Sequence, residues 1–197
     1  IGVCLLMSRV SAVLIVLVAA FGVNATAAAM SFMPDFFTKQ GREVTAAERK
    51  QYDRLFADKV VVKKSERKLY LVKQDKPFRT YNVSLGFKPD GHKLRQGDGR
   101  TPEGRYYLDW RNPGSKFRKS LHVSYPNYKD KLHARRRGVD PGGMIMVHGQ
   151  PGGGRNSELR RAISKEDWTE GCIAVSNMAI EEIWDYTLVG TPIEIMP

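Results

Sequence analysis

Alternating apolar positions along the chain predict a mainly β protein. Stretches in which Val, Ile, Leu and Tyr alternate with polar residues, or run together briefly, are typical of strands. These stretches cover 59–64, 68–73, 78–85, 105–110, 120–125, 144–147 and 192–196. Apolar residues at helical spacing predict helices over 45–57 and 177–188, and Thr45 and Glu48 form a capping box at the start of the first. The pattern therefore predicts one β-rich domain with a few helices.

The first 29 residues have the pattern of a secretory signal peptide. Arg9 precedes an apolar run over 10–23, which is followed by small residues with A-x-A spacing. An uncleaved anchor is the alternative, but the run is shorter than the roughly 20 residues of a membrane span. We expect a signal peptide over 1–29, a linker and helix over 30–57, and the folded domain over 58–197. We therefore expect export to the periplasm, with no stable membrane insertion after cleavage.

Positive charge dominates the composition. The 197 residues include 32 Lys and Arg against 21 Asp and Glu, a formal net charge of +11. Such a balance favours anionic partners, or is simply a solvated surface. Nucleic acid would use the same charge, but predicted export argues against a nucleic-acid partner. For an anionic cell-wall polymer, the candidate contacts are Arg111, Arg118, Arg135, Arg136 and Arg137.

Cys172 is the one cysteine outside the predicted leader. Two cysteines in all exclude a disulfide scaffold and a multi-cysteine zinc site, and the histidine spacing shows no paired metal ligands. We therefore expect no metal and no cofactor. A thiol becomes a nucleophile beside a base, and His148, at the end of a predicted strand, is a natural one. From the residues alone, this catalytic pair and a structural cysteine with a satisfied histidine both stay open.

These residues resemble a known family. His148-Gly149 and Thr169-Glu170-Gly171-Cys172 resemble the HG…[ST]-x-G-C signature of the YkuD-type L,D-transpeptidase catalytic domain. The segment 97–106, GDGRTPEGRY, is similar to the GD…TPxGxY segment of that family, and 60–70 is similar to its opening hairpin. The resemblance implies a single sandwich-like or barrel-like β domain with a few helices over 58–197.

The resemblance also implies a reaction. Cys172 would attack the carbonyl that follows the L-centre of diaminopimelate in a peptidoglycan stem peptide, and His148 would move the protons. Gly171, Thr169 and Gly149 would shape the site, with backbone amides near Gly171 and Cys172 holding the oxyanion. An amine would then resolve the thioester, giving a crosslink or a protein attachment. Such activity belongs to cell wall biogenesis and the control of cell shape.

Two departures from the family pattern point to one branch of it. Glu170 stands where the commoner pattern has His, and Ala174 where it has Arg. With the glycine-rich 141–143 and an insert over 152–167, they look like the YafK-like branch, some members of which cut a lipoprotein from peptidoglycan. The alternatives are therefore a hydrolase releasing lipoprotein or D-alanine, and an idle wall-binding module. The acceptor amine, the oligomeric state, the group that orients His148 and a role of the insert as a lid stay open.

Overall fold

The computed structural model of the protein describes residues 55–151 and 167–197. The predicted leader, nearly all of the predicted 30–57 segment and residues 152–166 of the insert lie outside the described residues. Residues 55–57, the end of the first predicted helix, form a turn and a bend instead of helix. In the described ranges, no helix is long and apolar enough to cross a membrane.

Eight strands in the described ranges form one sheet. They are β1 (Lys59–Lys63), β2 (Lys68–Lys73), β3 (Lys76–Asn82), β4 (Gly104–Asn112), β5 (Ser120–Val123), β6 (Met146–His148), β7 (Ile173–Ala174) and β8 (Thr191–Met196). Their order across the sheet is β3-β2-β1-β8-β4-β5-β6-β7. The β1–β8 and β6–β7 pairs are parallel, whereas the other neighbours are antiparallel.

The sheet curls until its two ends meet. Just after β3, Ser84 and Ala174 of β7 exchange two backbone hydrogen bonds of 2.8 Å. Thr169 extends this contact: its N–H donates to the carbonyl of Leu85 at 3.0 Å, and its carbonyl accepts from Phe87 N at 2.9 Å. The mainly β, barrel-like fold predicted from the sequence is confirmed.

In the described part of the chain, two helices pack against this sheet. Helix α1 (Tyr128–Arg136) begins at Asn127, whose side chain accepts hydrogen bonds from the N–H groups of Lys129 and Asp130. Helix α2 (Asn177–Tyr186) buries Ala179, Ile180 and Ile183, the apolar stripe that predicted it. The sequence pattern did not predict α1, because its buried positions are only Asp130 and Ala134, and two such residues form no apolar stripe.

Candidate active site

Strands β6 and β7 place His148 and Cys172 on the same face of the sheet. The parallel register pairs Val147 with Ile173 and His148 with Ala174. Val147 and Ile173 lie in the hydrophobic core, and side chains alternate between the two faces of a strand. His148 therefore points away from the core, and so does Cys172, two positions before Ala174. The tertiary pairing thus sets on one face two residues that are 24 positions apart in the sequence.

His148 is buried and held by its own turn. Its Nδ1 lies 2.6 Å from the carbonyl oxygen of Gly149. Because a carbonyl only accepts hydrogen bonds, Nδ1 carries the proton in the neutral ring, and Nε2 is left as the basic nitrogen. The rings of Phe117 and Trp168 pack against the imidazole at centroid distances of 4.6 and 5.8 Å. Burial lowers the pKa of His148, and the bond to Gly149 opposes this only in part.

The thiol of Cys172 is half-buried beside the chain that leads into β6. Its Sγ lies 3.6 Å from the carbonyl oxygen of Met144. Burial raises the pKa of Cys172, and the negative charge of Glu170 raises it further. A hydrogen bond from the backbone of Met146 and the positive charge of Lys93 act in the opposite direction. Burial thus favours the neutral form of both Cys172 and His148.

The turn before Cys172 is built around Thr169. Its hydroxyl donates to the carbonyl of Cys172 at 2.7 Å and accepts from the N–H of Gly171 at 3.1 Å. This corrects the expectation that the Gly171 amide is free for an oxyanion, because Thr169 already occupies it. Among the described residues, no hydrogen-bond partner engages the N–H of Cys172, which remains the available donor.

Gly171 and Gly149 permit two close backbone approaches. Gly171 has φ +133°, and a Cβ there would lie 2.6 Å from the carbonyl oxygen of Arg100. A Cβ on Gly149 would lie 2.6 Å from Oδ1 of Asn177 and 2.8 Å from the carbonyl oxygen of Phe117. Both glycines therefore shape the site by letting neighbouring segments pack against its two turns.

A groove of about 570 Å³ opens beside the thiol. Its lining combines the nucleophile candidate with charged and small residues: Lys93, Gln96, Gly97, Asp140, Gly142, Gly143, Met144, Ile145, Glu170 and Cys172. Met144 is exposed and has φ +56°, a backbone conformation that is strained for a side chain of this size. In the part of the chain that the structure describes, no three His, Cys, Asp or Glu side chains cluster as a metal site requires.

The loop between β3 and β4 forms one wall of this groove. Its organising residue is Asp98, which accepts hydrogen bonds from Lys93 Nζ and from the N–H groups of Leu94, Arg95 and Arg100. Burial raises the pKa of Asp98, but these hydrogen bonds outweigh it and lower that pKa to about 2. Asp98 is therefore an anion at neutral pH and fixes the loop.

The structure adds residues that sequence reasoning missed. Phe117 and Trp168 pack on His148, and Lys93 lines the groove. Nothing local in the sequence marks Phe117, whereas Trp168 lies next to the Thr169 motif.

Of the five arginines proposed for polymer binding, Arg111 stacks on Trp184 at 4.0 Å and Arg118 pairs with Glu181 at 2.6 Å. The remaining three, Arg135 to Arg137, are exposed at the end of α1.

The fold and the motif residues define a class of mainly β domains with a cysteine and a histidine on adjacent strand ends. The family model described as "L,D-transpeptidase catalytic domain" (YkuD) matches residues 57–195. The chain therefore belongs to the YkuD family of L,D-transpeptidase catalytic domains. This confirms the family resemblance read from the motifs at His148 and Cys172.

The relatives include a curated protein of Escherichia coli, named "Putative L,D-transpeptidase YafK". It is 30% identical over 99 residues, a match that covers 49% of this chain and 31% of that protein. The chain therefore spans about a third of the length of this relative. The similarity supports the assignment to the YafK-like branch.

Solved structures share the fold. The helical cell shape determining protein Pgp2 of Campylobacter jejuni superposes with a TM-score of 0.51 at 24% identity, covering 69% of this chain and 46% of that one. A lysine-to-alanine variant of Pgp2 gives a TM-score of 0.51 at 26% identity, covering 69% and 45%. The matched part is thus less than half of each Pgp2 chain.

Proposed function

We propose that the protein is an exported, cysteine-dependent peptidoglycan enzyme that acts on the L,D bond following diaminopimelate in stem peptides. Family membership supports a peptidoglycan-modifying enzyme. The observation that carries the finer proposal is the placement of His148 and Cys172 on one face of the β6–β7 pair, with Cys172 in the groove. The proposed reaction transfers the acyl group to an amine, which yields a crosslink or a protein attachment.

The first half-reaction forms a thioester. Sγ of Cys172 attacks the carbonyl carbon of diaminopimelate while its proton passes to Nε2 of His148. The N–H of Cys172 donates to the oxyanion that develops. The C–N bond then breaks, and His148 returns the proton to the departing amine of D-alanine. Because Nδ1 of His148 is held by Gly149, Nε2 is the atom that exchanges protons in each step.

The second half-reaction decides between transfer and hydrolysis. An amine acceptor gives up its proton to His148 as it attacks the thioester, and the thiol is regenerated. Water in the same place would make the enzyme a hydrolase that releases peptidoglycan-linked lipoprotein or D-alanine. The similarity to YafK and the presence of Glu170 and Ala174 are the reasons for retaining the hydrolase as a second candidate.

Mass spectrometry of the products tests both candidates. The full chain is incubated under reducing conditions with diaminopimelate-containing muropeptides, and separately with lipoprotein-linked muropeptides. A crosslinked dimer establishes transfer, whereas release of D-alanine or of the lipoprotein peptide without a dimer establishes hydrolysis. Cys172→Ala should abolish either product, and Cys4→Ala, which changes the other cysteine of the chain, should not.

The same variants test the alternative of an idle wall-binding module. The module requires that Cys172→Ala binds sacculi as the wild type does and that neither protein forms a product. If the wild type forms no product from any of these substrates, the catalytic proposal is wrong. Export to the periplasm is tested separately, by cell fractionation and by sequencing the N-terminus of the mature chain for cleavage near residue 29.

A further inference from the structure

Among the residues that the structure describes, two lysines are almost fully buried, and their hydrogen bonding differs. Lys64, 3% exposed, donates to the carbonyls of Gly91 and Thr101 and to the carboxylate of Glu103, so its three N–H bonds all have acceptors. Lys93, also 3% exposed, has two acceptors within the described residues: the carbonyl of Arg95 at 3.1 Å and Oδ1 of Asp98 at 2.9 Å. One N–H of Lys93 is therefore left over.

Lys93 is also a lining residue of the groove beside Cys172. Lys93 and Cys172 line the same groove, and the positive charge of Lys93 acts on the thiol. Lys64 does not line that groove. An ammonium group that is removed from water and keeps an unpaired N–H is costly unless an acceptor arrives. An anionic acceptor from a bound molecule would supply the missing hydrogen bond.

Asp98 fixes Lys93 without using up its donors. Three backbone N–H groups besides Lys93 donate to this carboxylate, so its charge is shared among four donors. The ion pair holds the Lys93 side chain in one position in the loop. A preorganised donor of this kind binds a ligand without the entropy cost of ordering a flexible lysine.

Resting on the function proposed above, we propose that Lys93 binds a free carboxylate of the donor stem peptide and thereby selects the substrate. The carboxylates nearest the attacked carbonyl are the C-terminal one of the departing D-alanine and the one on the distal centre of diaminopimelate. The D-alanine carboxylate is the nearer of the two along the covalent chain from the carbon that Cys172 attacks, and the distal carboxylate lies at the far end of the diaminopimelate side chain. The shared chemistry is a carboxylate that accepts a charge-assisted hydrogen bond from Lys93.

Two substrates, each lacking one of these carboxylates, show which carboxylate Lys93 binds. We compare kcat/KM for a tetrapeptide muropeptide, its D-alaninamide form and its form amidated on the distal carboxylate of diaminopimelate. One charge-assisted hydrogen bond predicts about a 10- to 100-fold preference of the wild type for the free carboxylate over the relevant amide. In Lys93→Met the ratio of kcat/KM for the acid to that for the amide falls to near one, because the groove then has no ammonium group that distinguishes them.

Lys64→Met is the matched control. It removes a buried, ion-paired lysine outside the groove, so it is expected to lower stability and to keep the substrate preference of the wild type. A ratio of kcat/KM values is independent of the fraction of folded enzyme, which separates selection from folding. Lys93→Met leaves the carboxylate of Asp98 without its cation. If this variant is too unstable to purify, the double variant Lys93→Met with Asp98→Asn removes that unpaired charge and is measured in the same way.

Binding to Cys172→Ala separates this inference from the proposed function. Calorimetry with the tetrapeptide and with each amide reports recognition without chemistry. A preference in both binding and turnover that Lys93→Met removes supports the inference. A preference retained by Lys93→Met, or equal use of acid and amides by the wild type, overturns it while leaving the enzyme function intact. Absence of turnover of all three substrates overturns the proposed function itself.

Discussion

The pKa shifts of Cys172 and His148 set the resting state of the site. Burial raises the pKa of the thiol and lowers that of the imidazole, so each shift opposes the thiolate–imidazolium pair. In the reaction proposed above, the thiol therefore loses its proton to Nε2 of His148 as it attacks, instead of standing ionised beforehand. The carbonyl of Gly149 keeps the proton on Nδ1 and so leaves Nε2 free to take part in that proposed step.

The pH dependence of thiol alkylation measures this directly. Thiolate forms as pH rises, so a raised pKa moves the midpoint of iodoacetamide reactivity above that of an unstructured peptide cysteine. Glu170→Gln removes a negative charge that raises the pKa of Cys172, and we expect the midpoint to move down. Glu182→Gln, an exposed change on α2, should leave it in place. A midpoint that stays unchanged in Glu170→Gln contradicts this electrostatic account.

Gly171 is expected to tolerate no side chain. In Gly171→Ala the new Cβ meets a backbone carbonyl at 2.6 Å in a conformation with φ +133°, so the turn must move. We expect the free energy of unfolding to fall by about 1–3 kcal/mol, with loss of activity because Cys172 shifts. Urea denaturation and a turnover assay measure the two effects. Gly114→Ala, where the nearest atom is 3.7 Å away, is the control and should change neither.

Helix α1 connects distant parts of the structure through one carboxylate. Asp130 bonds the N–H of Asn127, the hydroxyl of Tyr106 at 3.1 Å and Nε2 of His92 at 3.2 Å. His92 in turn accepts from the N–H of Glu103 at 3.0 Å. The start of α1 therefore holds the loop that carries Lys93 against β4.

The contribution of α1 to stability can be tested at its capping box. Asn127→Ala leaves the N–H groups of Lys129 and Asp130 without their acceptor, and we expect a loss of about 1 kcal/mol of unfolding free energy. Asn127→Ser keeps a capping oxygen and should recover most of it. Lys131→Ala, an exposed change within the same helix, should have little effect. Thermal and urea unfolding of the four proteins make the comparison, and equal stability of Ala and Ser at position 127 contradicts the role of the cap.

At the scale of the whole molecule, the closing of the sheet holds the Cys172 turn. An ion pair reinforces this closure: Arg67 donates to both carboxylate oxygens of Asp167, with distances of 2.7 to 3.2 Å. Asp167 also accepts from the N–H of Leu85 at 2.8 Å. The end that contains β3 is thus fastened to the segment that leads to Thr169 and Cys172.

Loss of this ion pair should weaken the closure. Arg67→Met leaves the largely buried carboxylate of Asp167 without its cation, and we expect the free energy of unfolding to fall by about 1–2 kcal/mol. Arg105→Met, which breaks an exposed pair with Glu194, should stay within about 0.5 kcal/mol of the wild type. Urea titrations compare them, and hydrogen exchange at Leu85 reports the closure itself. Unchanged exchange in Arg67→Met shows that the backbone bonds alone hold the two ends.

Features that depend on near neighbours in the chain could be predicted from the sequence. Alternation predicted most strands of the sheet, the stripe of Ile180 and Ile183 predicted α2, and the motifs at His148 and Cys172 indicated the family. These signals are local, because one face of a strand or helix is recorded in residues two to four positions apart. Helix α1 escaped this reasoning because a polar capping box, and not an apolar stripe, marks it.

The geometry of the candidate site follows from contacts that form only when the chain folds. The parallel pairing of β6 with β7 sets His148 and Cys172 on one face, and the bond to Gly149 selects the basic nitrogen of His148. The hydroxyl of Thr169 accepts a hydrogen bond from the amide of Gly171, and within the described ranges the packing of the loop gives Lys93 two acceptors for its three N–H bonds. These features depend on which groups come into contact on folding and on how much water they lose. Contacts between distant segments and the loss of water cannot be deduced from the order of the residues.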